Sequence, residues 1–192
     1  MQNKEHTLLC VLGESSSGKD SLVSKLAERT GHKAICSYTT RPRRDGEGDT
    51  HIFVDDSVYE KMCMEGKIAA FTEISGYKYW TIIDQLYENS YYIIDYAGLK
   101  TLKALNFPNL RLVSVYINVP ESIREERAMQ RGDRPEVYRR RCLSERDQFR
   151  QMKKDMDVDY VVSNLDFAKA FSIMKWIATA EGLFINMGDT TK

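Results

Sequence analysis

Two glycines frame a short serine-rich stretch, GESSSGKD at residues 13–20, that ends in a lysine and an aspartate. It nearly fits G-x-x-x-x-G-K-[ST], the pattern of a loop whose backbone N–H groups and lysine bind nucleotide phosphates. The apolar run LLCVLG before it and the amphipathic SLVSKLAER after it predict a strand and a helix, which is the context such a loop requires. The stretch therefore predicts a phosphate-binding loop; a serine-capped turn is the alternative.

Asp20 stands where that pattern has a magnesium-binding hydroxyl, and Ser21 follows it. Oxygen ligands suit Mg²⁺, so Asp20 and Ser21 are candidates to hold the metal directly or through water. An acid in the first turn of a helix also compensates the helix dipole without any metal. Both interpretations of Asp20 stay open.

A second charged stretch, SYTTRPRRDGEGDTHIFV at residues 37–54, places Arg41, Arg43 and Arg44 beside Glu47. Guanidinium groups bind phosphate oxygens through paired N–H donors. A nearby carboxylate can accept hydrogen bonds from a base or orient the arginines. The stretch is thus a candidate for a second anion site, with a solvated charged loop as the alternative.

The elements that must position these loops follow from the hydrophobic pattern. Apolar runs alternate with amphipathic ones: HTLLCVLG precedes DSLVSKLAERTG, YYIIDY precedes AGLKTLKAL, and LRLVSVYINV precedes ESIREERAMQRG. That alternation predicts an α/β fold in which parallel strands are joined by helices that cover both faces of the sheet. Between Tyr38 and Tyr79 the pattern changes to short strand-like pieces and polar turns, which indicates a small inserted lobe.

Composition limits the classes of function. The chain has 192 residues, and its 28 basic side chains balance its 28 acidic ones, so no electrostatic reason favours binding to nucleic acid or to an acidic membrane. The four cysteines are scattered, which argues against disulfides and structural zinc. Neither a signal peptide nor a membrane-spanning stretch is apparent. We expect a cytoplasmic protein.

Taken together, the two loops resemble those of the guanylate kinase family of P-loop nucleoside monophosphate kinases. That family has an S-x-T-T-R-x-x-R-x-G-E signature, and the matching residues here are Ser37, Thr39, Thr40, Arg41, Arg44, Gly46 and Glu47. The resemblance continues through SGYKYWT, IIDYAGLK, REERAMQRG, VYRRR and VVSNLDFAKA. It implies a three-layer P-loop kinase fold in a single domain, residues 1–192. The core would be 1–36 and 82–192, the lobe that binds the monophosphate 37–81, and an arginine-rich lid about 128–140.

The resemblance also implies roles for individual residues. Those that would bind ATP are Gly13, Ser15, Ser16, Ser17, Gly18, Lys19, Asp20, Ser21, Arg127, Arg131 and Asn164. Those that would bind the acceptor are Ser37, Arg41, Arg44, Glu47, His51, Ala70, Tyr79, Thr81 and Asp95. Catalysis would depend on Lys19, Arg41, Arg131 and Arg140, and Mg²⁺ on Asp20, Ser21 and Asp95. Two of these positions have structural alternatives: Asp95 as a helix cap and Asn164 as a loop residue.

The implied reaction transfers the γ-phosphoryl group of ATP to a nucleoside monophosphate, GMP or dGMP, by a monomer or a homodimer that uses Mg²⁺. Two alternatives are a kinase of the same fold with another nucleotide or a phosphorylated sugar as acceptor, and an inactive binding module. The intact phosphate loop with Lys19 argues against the inactive module.

Three departures from the family fall in the acceptor pocket. The family has a glutamate that reads guanine N–H donors nine residues before the phosphate-binding tyrosine; that position is Ala70. Glu73 lies three residues further on, which turns it to the opposite face of a strand unless the strand is bulged. Trp80 replaces a glycine, and could stack on a base or pack in the core. His51 replaces an aromatic residue.

Overall fold

The computed structural model of the chain describes residues 5–43, 51–74 and 76–184. Its central sheet has four parallel strands in the order β6-β1-β7-β8. Their bounds are β1 His6–Leu12, β6 Tyr91–Ile93, β7 Leu110–Asn118 and β8 Tyr160–Ser163. Because β1 pairs with a neighbour on each side, the loop that follows it emerges at the middle of the sheet, where parallel α/β folds bind ligands.

The central strand β1 packs against apolar side chains on both faces, because its own side chains alternate in direction. Leu9 and Val11 join a buried cluster with residues of two helices, α1 (Lys19–Thr30) and α7 (Phe167–Ala180). Leu8 and Cys10 join a second cluster on the opposite face, with residues of three other helices: α3 (Ile83–Glu88), α4 (Tyr96–Leu105) and α6 (Pro135–Asp155). Helices on both faces of a parallel sheet make three layers, which confirms the predicted α/β fold.

The described part of the chain has seven helices, most of them short. Their bounds are α1 Lys19–Thr30, α2 Asp56–Met64, α3 Ile83–Glu88, α4 Tyr96–Leu105, α5 Glu121–Gln130, α6 Pro135–Asp155 and α7 Phe167–Ala180. Gly132, at a φ of 87°, and Pro135, at the first helical position, mark the break between α5 and α6. In the part of the chain that the structure describes, none of these helices combines the length and apolarity needed to cross a membrane.

A second, mixed sheet has the strand order β3-β2-β5-β4 and, except for its last residue, lies within the segment 37–81 predicted as an inserted lobe. Its strands are β2 Tyr38–Thr39, β3 Ile52–Phe53, β4 Ile68–Ile74 and β5 Tyr77–Ile82. Strand β5 passes directly into α3, and Gln85 of that helix bonds the chain on both sides of the lobe. Its Nε2 donates to the carbonyl of Cys36 at 2.8 Å, and its Oε1 accepts from the N–H of Ile82 at 3.2 Å.

The pairing of β4 with β5 decides which side chains face the same way. Ala70 lies opposite Thr81, and Thr72 lies opposite Tyr79, so these four side chains share one face. Glu73 lies opposite Lys78 on the other face. The sheet does contain an irregularity in register, but it precedes Ala70 and therefore leaves Glu73 turned away from the position that Ala70 occupies.

Candidate active site

The loop between β1 and α1 has a backbone that its glycines make possible. Gly18 has a φ of 83°, and a Cβ there would lie 2.5 Å from Nδ2 of Asn164. A Cβ on Gly13 would lie 2.5 Å from Oγ of Ser17. Ser17 is buried, and its Oγ has no hydrogen-bond partner among the described residues. The loop leads into the N-terminus of α1, whose unpaired N–H groups and positive dipole end favour an anion.

Lys19 is the first residue of α1, and its ammonium group lies 3.7 Å from the carboxylate of Asp20. The Lys19 side chain is mostly covered, whereas that of Asp20 is 75% exposed. Ser21 is exposed as well. Within residues 5–43, 51–74 and 76–184 no three histidine, cysteine or acidic side chains are grouped as metal ligands.

Asn164 and Arg127 support the phosphate loop from the side of β8 and α5. Nδ2 of Asn164 donates to the carbonyl of Ser17 at 2.8 Å, and the carbonyl of Asn164 accepts from Arg127 at 2.7 Å. Asn164 is only 2% exposed. This contact supports the structural alternative for Asn164, and it also places Arg127 beside the loop, since its guanidinium lies 3.9 Å from the position of a Cβ on Gly18.

Glu145 of α6 is a contact of the phosphate loop that the sequence did not reveal. Its two carboxylate oxygens accept from the backbone N–H and from the hydroxyl of Ser15, each at 2.7 Å. The two residues are 130 positions apart, and Glu145 stands in the strongly charged segment SERDQ. In such a segment an acid is usually a solvated surface group, so the sequence carries no signal that distinguishes it.

Glu14 is a second missed residue, and it lies buried within the loop itself. Its carboxylate accepts from the hydroxyl of Tyr116 at 2.7 Å and from Nζ of Lys153 at 2.9 Å. Burial, followed by the hydrogen bond to Glu14, raises the pKa of Tyr116 far above its usual range. Arg124 completes the arrangement, because it lies 4.0 Å from Glu14 and donates to the carbonyl of Ser15 at 3.5 Å. Hydrogen bonds and ion pairs among these groups thus hold the buried side of the loop in place.

The predicted lid arginines separate into two positions. Arg131, in the turn between α5 and α6, pairs with Asp133 and reaches Oγ of Ser16 at 3.4 Å. Arg140, on α6, instead lines a cavity of 560 Å³ together with Arg41 of the lobe. The structure therefore brings Arg131 to the phosphate loop and Arg140 to the lobe.

That 560 Å³ cavity collects the groups predicted to hold the acceptor's phosphate. Arg41 is 7% exposed, and its Nε donates to the hydroxyl of Tyr79 at 3.1 Å. The ring of His51 meets that of Tyr79 edge-on at 5.7 Å. A guanidinium group bonded to a phenol, with Arg140 lining the same cavity, suits a phosphate group. Arg44 and Glu47, predicted for the same site, lie outside the described residues.

A smaller cavity of 190 Å³ is lined by residues of the phosphate loop and of the lobe. Gly13 and Lys19 line one part of it, and the lobe residues Ser37, Ala70 and Tyr79 line another. It shares several residues with the 560 Å³ cavity, namely Thr72, Ile74, Tyr79, Glu145 and Gln148. The two cavities therefore adjoin each other. Thr72 and Gln148 were not among the predicted site residues.

Asp95 also lines the 190 Å³ cavity, at the end of β6. Its Oδ1 accepts from the N–H of Gly98 at 2.7 Å, so it caps α4. The structural alternative for this residue is thus realised. The Asp95 carboxylate lines the same cavity as Lys19.

Trp80 borders the 190 Å³ cavity, but its ring belongs to the core of the lobe. It is 1% exposed, and it stacks on Tyr38 with ring centroids 5.5 Å apart. It meets Tyr59 edge-on at 5.1 Å, and its Nε1 donates to Sδ of Met62 at 3.4 Å. Because Tyr79 and Thr81 face the acceptor side, the intervening Trp80 faces α2. Of the two interpretations of Trp80, the contacts support core packing.

Comparisons with known proteins identify the family of this chain. A family model described as guanylate kinase matches residues 5–181. A guanylate kinase of Legionella pneumophila (strain Paris) is 29% identical over 93% of this chain and 88% of its own length. One of Symbiobacterium thermophilum is 30% identical over 94% of this chain and 89% of its own. One of Syntrophotalea carbinolica is 31% identical over 91% and 86%.

A solved structure shows the same similarity in three dimensions. The crystal structure of guanylate kinase from Anaplasma phagocytophilum superposes with a TM-score of 0.66 at 26% identity, over 93% of this chain and 87% of that one. The similarity thus extends along nearly the whole sequence. On these grounds the chain belongs to the guanylate kinase family of ATP-dependent nucleoside monophosphate kinases.

Proposed function

We propose that this chain transfers the γ-phosphoryl group of ATP to GMP or dGMP and releases ADP and the nucleoside diphosphate. One observation carries the proposal: a single 190 Å³ cavity is lined by Lys19 of the phosphate loop and by Tyr79 of the lobe. Tyr79 in turn holds Arg41. Phosphoryl transfer requires the γ phosphate of ATP to lie next to the phosphate of the acceptor. The groups that bind these two phosphates must therefore face the same cavity. The similarity to proteins named guanylate kinases supports the choice of acceptor.

The reaction requires these residues to align the two nucleotides and to neutralise the charge of their phosphates. An oxygen of the acceptor's phosphate is already anionic near neutral pH, so no general base is needed. Arg41 and Tyr79 hold that phosphate, while Lys19 and the N–H groups of the loop hold the phosphates of ATP. Arg131, beside Ser16, lies where it can offset the charge that develops on the transferring group.

Mg²⁺ is part of the proposal, with Asp20, Ser21 and Asp95 as the donors that would hold it. When bound, the ion would neutralise charge on the β and γ phosphates. The donor types fit a hard cation, because all three offer oxygen. Asp20 is exposed beside Lys19, and Asp95 shares a cavity with Lys19. Asp20 as a compensator of the helix dipole remains the alternative.

The test is a screen for ATP consumption with each ribo- and deoxyribonucleoside monophosphate, in the presence and absence of Mg²⁺. We expect turnover with GMP and dGMP that depends on Mg²⁺. Lys19→Ala is the matched variant, and we expect it to lower kcat by about 10²- to 10³-fold, as for other charge-stabilising groups. If none of the monophosphates supports ATP turnover, the proposal is wrong and an inactive binding module is favoured.

A further inference from the structure

A third cavity, of 820 Å³, is lined mainly by residues of α5 and α6, and we call it the α5–α6 cavity. It is larger than the two cavities of the active site, and its volume falls in the range of small-molecule pockets, about 300–1,000 Å³. Phe149 is the one residue that it shares with the 190 Å³ cavity, and it shares none with the 560 Å³ cavity. On α6, Arg140 and Glu145 line the active site, whereas Arg139 and Arg146 line the α5–α6 cavity. The two regions therefore use different faces of the same helix.

Most of the charged groups that line the α5–α6 cavity are cationic. Six of its lining residues are arginine or lysine and three are glutamate, and five of the six cations belong to α6. Arg139, Arg146 and Lys154 have no ion-pair partner in the part of the chain that the structure describes. Arg146 and Arg150 are one helical turn apart, and like charges at that spacing destabilise a helix. An anion bound along this wall would offset their repulsion.

Buried side chains complete the lining of the α5–α6 cavity. Arg124, Tyr138 and Phe149 are all buried, so both a guanidinium and two aromatic rings are fixed in place there. Oη of Tyr138 has no hydrogen-bond partner within residues 5–43, 51–74 and 76–184, and its polar neighbour is the thiol of Cys142. Burial raises the pKa of Tyr138 far above its usual range, so the phenol keeps its proton and is a hydrogen-bond donor. Buried polar groups without a partner are uncommon, and an anionic ligand would provide one.

The α5–α6 cavity also borders the phosphate loop, because Glu14 lines it. The carboxylate of Glu14 accepts from Nζ of Lys153 at 2.9 Å and lies 4.0 Å from Arg124. Both of these cations line the cavity as well, and Arg124 also donates to the carbonyl of Ser15. An anion in the cavity and the carboxylate of Glu14 would therefore compete for the same two cations.

We propose that the α5–α6 cavity binds a small molecule that carries several phosphate groups, at a site separate from those of the two nucleotides, and that Glu14 limits its affinity. Guanidinium and ammonium groups are the side chains that bind phosphate oxygens best. Arg139 and Arg146 supply them on α6, and the buried Arg124 and Tyr138 add donors that are already ordered. Binding at this site requires no phosphoryl transfer, so the inference does not depend on the proposed function.

Cys142 lines the α5–α6 cavity and can be used to measure its occupancy. The probe is inorganic tripolyphosphate, and the rate of alkylation of each cysteine by iodoacetamide is followed by mass spectrometry at constant ionic strength. At a probe concentration of about ten times its Kd, we expect Cys142 to react about tenfold more slowly. Cys63, which is exposed on α2, is the internal control and should react at an unchanged rate. If tripolyphosphate never slows the reaction of Cys142, the inference is wrong.

Three variants distinguish the α5–α6 cavity from the phosphate loop. Arg146→Glu reverses one charge in the cavity, and we expect the probe concentration for half-protection of Cys142 to rise by about 10- to 100-fold. Lys19→Ala weakens anion binding at the phosphate loop and should leave this concentration unchanged. Arg29→Glu, in the last turn of α1, makes the same change in net charge as Arg146→Glu and should also leave it unchanged. Loss of protection in Lys19→Ala, or equal losses in Arg146→Glu and Arg29→Glu, would overturn the inference.

Glu14→Gln tests the competition for Lys153 and Arg124. The amide oxygen can still accept from Tyr116, while the competing charge is gone, so we expect half-protection at a probe concentration about three- to tenfold lower. Circular dichroism and thermal unfolding establish that the variant is folded. An unchanged concentration in a folded variant would contradict the role of Glu14. Protection of Cys142 in a protein that phosphorylates no monophosphate would support this inference and contradict the proposed function, so the two can fail separately.

Discussion

Glu145 and Ser15 are joined by two hydrogen bonds of 2.7 Å, so that a carboxylate from α6 holds both the backbone N–H and the hydroxyl of a phosphate-loop residue. The same carboxylate lines the cavity that contains Lys19. It thus places a negative charge beside the site where the phosphates of two nucleotides would meet. The carboxylate and the phosphates repel each other at short range, and the repulsion is stronger where bulk water is excluded.

Glu145→Gln should therefore tighten the binding of ATP. The amide oxygen can still accept one bond from Ser15, while the charge is gone, and we expect Kd for ATP to fall by about three- to tenfold. Isothermal titration calorimetry measures it. Ser15→Ala is the control, because it removes one hydrogen bond and keeps the charge, and it should not tighten binding. Weaker binding by Glu145→Gln would mean that the carboxylate chiefly organises the loop.

Arg41→Ala should impair the use of the acceptor more than the use of ATP. Arg41 is buried and held by Tyr79, which fixes its guanidinium in the 560 Å³ cavity. We expect KM for the monophosphate to rise by about 10- to 100-fold with a lower kcat, as for the loss of a charge-assisted hydrogen bond. Steady-state kinetics with each substrate varied separates the two effects. Arg41→Lys keeps the charge without the planar fork and should recover only part of the loss. If the Arg41→Ala enzyme has normal kinetics, Arg41 does not bind the acceptor.

Glu14→Ala should destabilise the fold. Glu14 is buried, and its removal leaves the Tyr116 hydroxyl without its acceptor and Lys153 without its ion-pair partner. Because Lys153 is 53% exposed and partly solvated, we expect a loss of about 1–3 kcal/mol in the free energy of unfolding. Urea denaturation measures it. Tyr116→Phe should cost about 1 kcal/mol. An unchanged free energy of unfolding in Glu14→Ala would show that this network does not stabilise the fold.

Trp80→Phe should affect stability and leave acceptor use almost unchanged. The ring packs between Tyr38 and Tyr59, and the smaller phenyl ring leaves a gap and loses the contact with Met62. We expect a loss of about 1–3 kcal/mol in the free energy of unfolding. KM for GMP should stay within about twofold, since the ring faces away from the acceptor side. A large rise in KM without a loss of stability would favour the base-stacking interpretation.

Asp20→Ala should raise the Mg²⁺ concentration needed for half-maximal velocity. If Asp20 holds the ion, we expect an increase of about tenfold, and Asp20→Ser, which restores a hydroxyl, should recover part of it. Titration of Mg²⁺ at fixed ATP provides the measurement. An unchanged Mg²⁺ requirement, with a loss of about 0.3–1 kcal/mol in stability, would support dipole compensation instead.

The sequence predicted those parts of the site that depend on local pattern. The phosphate loop was recognisable because its glycines and Lys19 stand together between a strand and a helix, and the resemblance supplied Arg41 and Tyr79. Glu145 could not be predicted, since nothing local ties it to Ser15 across 130 residues. Glu14 occupies an unspecified position of the loop pattern, so its burial depends on Tyr116 and Lys153 from distant elements.

The two bonds that Gln85 makes at the base of the lobe have a mechanical consequence. Cys36 and Ile82 mark the points where the chain enters and leaves the lobe, and one amide group fastens both of them. Rotation of a body about such a pivot moves its parts in proportion to their distance from the pivot. Ser37 and Thr81, each one residue from the fastened points, would travel least, and groups further along the lobe would travel further. The residues near the base would then stay nearly fixed when the lobe rotates. The rotation would mainly move the groups that hold the phosphate of the acceptor.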